Sequence, residues 1–204
     1  MAAPPEKTIK SLDGKWVINK TLSDSPDPVL ALQGIGWLTR KAIGAATVTL
    51  HTRTYTAPPD GDPAAAPVLH IDVDQRITGG LKGTSEKRNL DWQWRPHSDY
   101  LFGELRGRSR WMGLEGLVKE AEGKGVVEED AGFLVEGWRE EMGEGDGVVE
   151  SFVENEEKGW SGWQVWGFVD VGGERRYARR FVVRKGEEVR RIKLVYDWAG
   201  PLDA

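Results

Sequence analysis

Residues 91–111, DWQWRPHSDYLFGELRGRSRW, hold the densest set of groups able to do chemistry in this chain. His97 stands two residues before Asp99, and Tyr100 follows directly. An imidazole titrates near neutrality and a neighbouring carboxylate can orient it, so this trio could serve as an acid–base group at a barrel mouth, the commoner alternative being a histidine merely exposed in a turn. A second set, His51, Arg53 and Tyr55, recurs at every other residue and so falls on one strand face, where it would supply polar groups to a cavity. No nucleophile or second base is fixed by spacing to either set. Any catalysis would therefore rest on few groups, with His51, Tyr55 and His97 as the candidates. The three histidines, His51, His70 and His97, follow no metal-ligand spacing, and His70 alternates with Asp72 and Asp74 like the wet face of a strand. The glycines at 123–125 and 143–147 fit neither a Walker nor a dinucleotide pattern. Neither a metal nor a cofactor is expected.

The aromatic residues add a binding surface. Trp numbers 10 against 4 Tyr and 5 Phe, an excess that suits the wall of a large apolar cavity as well as a dry core. Trp92 and Trp94 share one strand face. In the next strand Leu101, Gly103, Leu105, Gly107, Ser109 and Trp111 share a small and apolar face, with Arg106, Arg108 and Arg110 opposite as solvated charges. The expected ligand contacts are Trp37, His51, Arg53, Tyr55, Trp92, Trp94, Leu101, Leu105, Trp111 and Tyr196.

Composition bounds the rest. The 204 residues suit one domain, with residues 1–10 as a flexible N-terminus. The 28 basic and 33 acidic side chains leave a formal charge of −5, which excludes a protein held to nucleic acid by overall charge. Cysteine is absent, and with it disulfides, thiolate metal sites and thiol nucleophiles. No apolar run approaches the roughly 20 residues needed to cross a bilayer, and the opening MAAPPEKTIK lacks a signal-peptide core. A soluble, cytoplasmic monomer is the expectation.

The elements that must position these residues are mostly strands. Alternation predicts them at 12–21, 47–56, 68–77, 86–95, 100–112, 132–140, 148–154, 163–171, 176–185 and 189–198. Residues 24–45, interrupted by Gly34 and Gly36, read as a broken helix pair. Hairpins are signalled at Gly172-Gly173, at 185–187 and across the glycine tract 143–147. Ten short antiparallel strands bury their edges most simply by closing into an up-and-down barrel, and one of that width encloses a ligand cavity.

The Gly14-Lys15-Trp16 opening resembles the Gly-x-Trp of the calycin superfamily. Residues 32–49, LQGIGWLTRKAIGAATVT, resemble the helical lid and second-strand entry of the intracellular fatty-acid-binding proteins. The resemblance implies a calycin-type ten-stranded barrel with a helical lid after the first strand, and an apolar ligand inside. That family fixes a ligand carboxylate with an Arg-x-Tyr on its last strand. Here the strand offers Tyr196 with Leu194 two residues before it, so the arginine is missing. The haem-binding barrels use a late histidine, and none follows His97. Non-covalent binding of a lipid-like, terpenoid-like or polyketide-like molecule is the function expected. The alternative is an isomerase or cyclase of pericyclase type using the same cavity, since confinement and one hydrogen bond leave little trace in sequence. The basic run 175–193, with Arg179, Arg180, Arg184, Arg190 and Arg191, could dock on anionic membranes or pair with neighbouring acids.

Overall fold

The computed structural model describes residues 1–60, 62–123, 128–139 and 147–203. Ten antiparallel strands run in the order β4-β3-β2-β1-β10-β9-β8-β7-β6-β5. They are β1 (Gly14–Ile18), β2 (Val48–Ala57), β3 (Val68–Ile77), β4 (Ser85–Asn89), β5 (Arg95–Asp99), β6 (Gly103–Met112), β7 (Val148–Asn155), β8 (Trp160–Val171), β9 (Glu174–Lys185) and β10 (Glu188–Gly200). Each pairs with its sequence neighbour except at two places. The first and last strands pair with each other, Trp16 opposite Trp198 and Ile18 opposite Tyr196, while β4 and β5 share no ladder. The result is a calycin-type barrel with one open seam. Beside the seam the backbone N–H of Leu90 donates to Leu69 and that of Trp92 to Ser109, so residues 90–92 tie β3 to β6.

Two expectations about the strands are corrected, and their errors cancel in the count. Residues 86–95 do not form one strand: β4 ends at Asn89 and β5 begins only at Arg95, with Trp92 between them at a left-handed φ of 61°, which no continuous strand accommodates. Residues 132–139 are not a strand: 132–135 end a helix, α4 (Glu128–Val135), which follows α3 (Leu114–Gly123), and 136–139 leave it as turn and coil. A short apolar run reads alike in both elements, and here packing decides. Leu117, Leu134 and Trp138 bury against Val148, Trp163, Val165 and Val182 on the barrel's outer wall. The indole N–H of Trp138 donates to the carbonyl of Leu134 at 2.7 Å. The hairpins at Gly172-Gly173 and at Gly186 turn as expected, all three glycines having positive φ. The tract 143–147 lies outside the described residues apart from Gly147.

One barrel end is plugged. Trp16, Phe168, Tyr177 and Trp198 stack edge to face with centroid separations of 4.8–6.2 Å. Gly14 is required there, since a Cβ would stand 2.2 Å from the Trp198 ring. Residues 1–10, expected to be a loose tail, instead pack onto this plug. Ile9 is buried, the Ala3 N–H donates to Arg175 O at 2.7 Å, and the Arg175 guanidinium donates to the carbonyls of Pro4 and Lys7.

The other end is covered by α1 (Asp27–Leu32) and α2 (Trp37–Ala45), the broken pair expected from the glycines. Val29 and Leu32 of α1 bury against Trp160, Val183 and Ile192. Arg40 fastens α2 to α1 by donating to Asp27 Oδ1 at 3.2 Å and to Ile35 O at 2.9 Å. No helix among the described residues is long and apolar enough to cross a membrane.

Candidate functional site

Between plug and lid lies a cavity of about 1070 Å³. That volume is at the upper end of the range for small-molecule sites, roughly 300–1,000 Å³. Its walls follow from strand parity. On β9 the inward residues are Tyr177, Arg179, Phe181 and Val183, and on β10 they are Ile192, Leu194 and Tyr196; register sets Arg179 opposite Leu194 and Tyr177 opposite Tyr196. Toward the lid the aliphatic and aromatic walls are Val29, Leu105, Val153, Trp160, Val183 and Ile192, alongside the polar Lys20, Asp24 and Gln33.

The half nearer the plug carries charge. In the SEKRN segment of β4, Glu86 and Arg88 are half-buried against the cavity while Ser85 and Lys87 are exposed. Arg88 donates to Glu86 Oε2 at 3.2 Å and to Ser151 Oγ at 3.0 Å. Gln75 Nε2 donates to Glu86 Oε1 at 3.1 Å. Arg179 approaches the same carboxylate at 3.7 Å, donates through Nε to the Tyr177 hydroxyl at 2.9 Å, and lies over the Trp166 ring at 3.9 Å. Arg179 is only 2% exposed, and its Nη2 has no partner among the described residues.

The protonation states follow. Burial opposes charge on Glu86, but Arg88 and Arg179 outweigh it and hold its carboxyl below the ordinary glutamate range. Burial likewise works against the Arg179 cation, yet the Tyr177 and Tyr196 hydroxyls and Glu86 leave its pKa raised. Burial pushes the Tyr196 hydroxyl up, so it stays protonated and able to donate. Two guanidinium cations therefore face one carboxylate inside the cavity. An unpaired cation in such surroundings is costly, which favours a ligand bringing an oxygen with negative or partly negative charge. The last strand carries no arginine beside Tyr196, but Arg179 on the neighbouring strand stands 5.9 Å from the Tyr196 ring.

At the seam, His97 and Asp99 of β5 line the same cavity. His97 Nε2 is 3.5 Å from Asp99 Oδ2, while Asp99 Oδ1 accepts the backbone N–H groups of Leu101 and Phe102 at 2.8 and 2.7 Å. Burial raises the Asp99 pKa, but the His97 contact and those N–H groups prevail and keep it low.

Of the residues singled out by sequence, Leu101, Leu105, Tyr196 and His97 line the cavity. The others fall elsewhere, each for a geometric reason. His51, Arg53 and Tyr55 occupy the outer face of β2, because Val48, Leu50 and Thr52 take the inner one. His51 and Arg53 border a shallow depression of about 70 Å³ with Asp74 and Asp203; burial, then Arg76 and Lys15, lowers the His51 pKa. Tyr55 stacks on His70 at 4.8 Å and donates to Asp72 at 3.2 Å; burial and Asp72 raise its pKa. Trp92 and Trp94 form a ladder with Arg106, Arg108 and Arg110 at ring distances of 4.1–4.9 Å beside the seam. Trp111 shares the inward parity of Leu105 but lies at the plugged end beneath Lys10, at 4.1 Å. Trp37 sits on α2 at 63% exposure.

Glu86, Arg88 and Arg179 were not among the expected site residues. A signal for Arg179 exists in its alternation with Tyr177, Phe181 and Val183. Of the remaining basic residues, Arg180 donates to Phe133 O and Glu136, and Arg184 and Arg191 both clasp the buried Asp130 of α4. Arg190 pairs with Glu188 next to it.

Fold and cavity together define a calycin-type barrel with an interior chamber. The solved structures that resemble it share the fold at distant identity. The fluorescent protein UnaG matches with a TM-score of 0.52 at 13% identity, covering 94% of this chain and 98% of its own. A Schistosoma mansoni fatty-acid-binding protein, solved with arachidonic acid, matches at 0.50 and 14% identity over 95% and 100%. No family model matches the chain. Curated relatives are nearer: probable pericyclase scpY of Mollisia scopiformis is 32% identical over 203 residues, covering 100% of this chain and 97% of the relative. Pericyclase pydY of an Acremonium species is 31% identical over 201 residues, 98% of each. The chain belongs to the family of these two pericyclases.

Proposed function

We propose that this protein is a pericyclase, which folds a mostly apolar, unsaturated substrate inside the barrel and directs its ring closure. The observation that carries the reading is one large cavity in which aliphatic and aromatic walls stand beside the cluster of Arg88, Glu86 and Arg179. The names of the two relatives favour cyclisation over carriage, although both activities need the same vessel.

A pericyclic closure moves electrons around a ring of atoms with no proton, oxidant or leaving group. The protein then has two tasks. The first is conformational: a flexible polyene must lose rotational freedom to bring its reacting carbons together, and walls such as Leu105, Phe181 and Val183 hold it folded through burial of about 25 cal/mol per Å² of apolar area. The second is electronic. A carbonyl conjugated to the accepting alkene becomes a better acceptor when hydrogen-bonded to a cation, and Arg179, with Tyr196 beside it, stands where such an oxygen would sit. Preorganised donors of this kind contribute about 2.7–4 kcal/mol each.

The test is a turnover assay with a linear polyene bearing a conjugated carbonyl head, followed by chromatography with mass detection. Wild type should give one stereoisomer of unchanged mass, and Arg179→Leu should lower kcat/KM by about 100-fold or more. A polyene that binds with one-to-one stoichiometry and is recovered unchanged would make the protein a carrier.

A further inference from the structure

A reaction that only shifts bonding electrons around a ring has no use for an acid–base group, yet the cavity contains one. His97 is the one histidine lining it among the described residues, since His51 and His70 lie on outward faces. Its surroundings are those of an oriented base. Asp99, with a side chain 11% exposed, is locked by two backbone N–H groups and turns its second oxygen to His97 Nε2 at 3.5 Å. With Nε2–H directed at Asp99, the Nδ1 lone pair is left for a ligand. The His97 side chain is 37% exposed at the unpaired seam, so it can exchange protons with water while it borders the interior.

We propose that His97, oriented by Asp99, gives this cavity a second activity, proton-transfer isomerisation of an enolisable β,γ-unsaturated carbonyl compound to its conjugated isomer. The inference rests on the cavity being a substrate chamber. His97 Nδ1 removes a proton from the carbon between carbonyl and alkene, and the C–H electron pair passes into the dienolate, whose negative oxygen is received at the Arg179 end. The imidazolium returns the proton to the γ-carbon, the electron pair withdraws from oxygen, and the carbonyl re-forms. No atom is gained or lost, and no co-reactant is required. The product is an electron-poor conjugated alkene, the kind of acceptor a ring closure consumes. His97 acts as the catalytic residue and Asp99 as the positioning residue.

The experiment uses the full chain with a long-chain β,γ-unsaturated ketone in D₂O. Conjugation is followed by absorbance, deuterium at the γ-carbon by NMR, and occupancy by displacement of an environment-sensitive apolar dye. Wild type should displace dye, isomerise the ketone and label the γ-carbon. His97→Ala and His97→Gln should displace dye equally well and isomerise at least about 100-fold more slowly, with added imidazole restoring part of the rate to His97→Ala. Asp99→Asn should lower kcat and leave KM unchanged. Dye displacement without isomerisation by wild type, or His97 variants as fast as wild type, would overturn the proton-transfer role and leave the chamber intact. Failure of any apolar probe to displace dye would remove the chamber itself, and the proposal with it.

Discussion

At the scale of single residues, the charges inside the barrel matter most. Glu86 is held between Arg88 and Arg179 with its pKa below the ordinary glutamate range. A carboxyl whose pKa is lower in the folded than in the unfolded chain binds fewer protons when folded through the acid range. Its stabilisation is therefore complete above the ordinary glutamate range and is lost as pH falls through the lowered value. Replacing Glu86 with Gln leaves two guanidinium groups facing each other, which should cost about 2–4 kcal/mol near neutrality. Urea denaturation of wild type and Glu86→Gln between about pH 3 and 7 checks the sign: the gap in midpoint should be widest near pH 7 and narrow steadily on acidification. A gap independent of pH would mean that Glu86 acts through packing alone. These charges are the part of the site least legible in sequence, because charged residues are almost never fully buried and default to the solvent face. Arg179 resembles its paired outer neighbours Arg180 and Arg184 in type; only its parity with Tyr177 and Phe181 separates it from them.

At the scale of elements, period-2 alternation located β2 and β3 closely and found β6 to β10 to within a few residues. What alternation did not show was where the wall is open. The seam depends on the left-handed Trp92 and on hydrogen bonds between distant strands, and a bulky aromatic in that conformation has no sequence marker. Helix α4 was misread as a strand for a related reason: the clasp of Arg184 and Arg191 on Asp130 that fixes it is tertiary. Asp130 is 1% exposed, so replacing both arginines with Gln strands a buried carboxylate. The loss should be about 3 kcal/mol, or roughly 6–12 °C in Tm for a chain of this length. Co-sedimentation with anionic vesicles at low salt should be the same for wild type and the double variant, because these arginines already have partners. Vesicle binding by wild type that the variant lacks, at unchanged Tm, would assign them to a membrane contact instead.

At the scale of the whole molecule, the account is of a barrel plugged at one end by aromatic stacking, covered at the other by α1 and α2, and polarised between them. The wide interior followed from strand number, and the cavity volume of about 1070 Å³ agrees with it. The central claim is that the chemistry takes place inside this volume. Leu105 faces the interior from β6, directly opposite His97 of β5, so Leu105→Trp fills space while every charged group of the cavity stays in the chain. The decisive measurement is the rate of mass-conserving conversion of a linear polyene by wild type and by Leu105→Trp at equal Tm. Occlusion should slow turnover by more than about 10-fold, because the substrate can no longer reach its folded conformation. Equal rates in the two proteins would place the reaction outside the barrel and contradict the account.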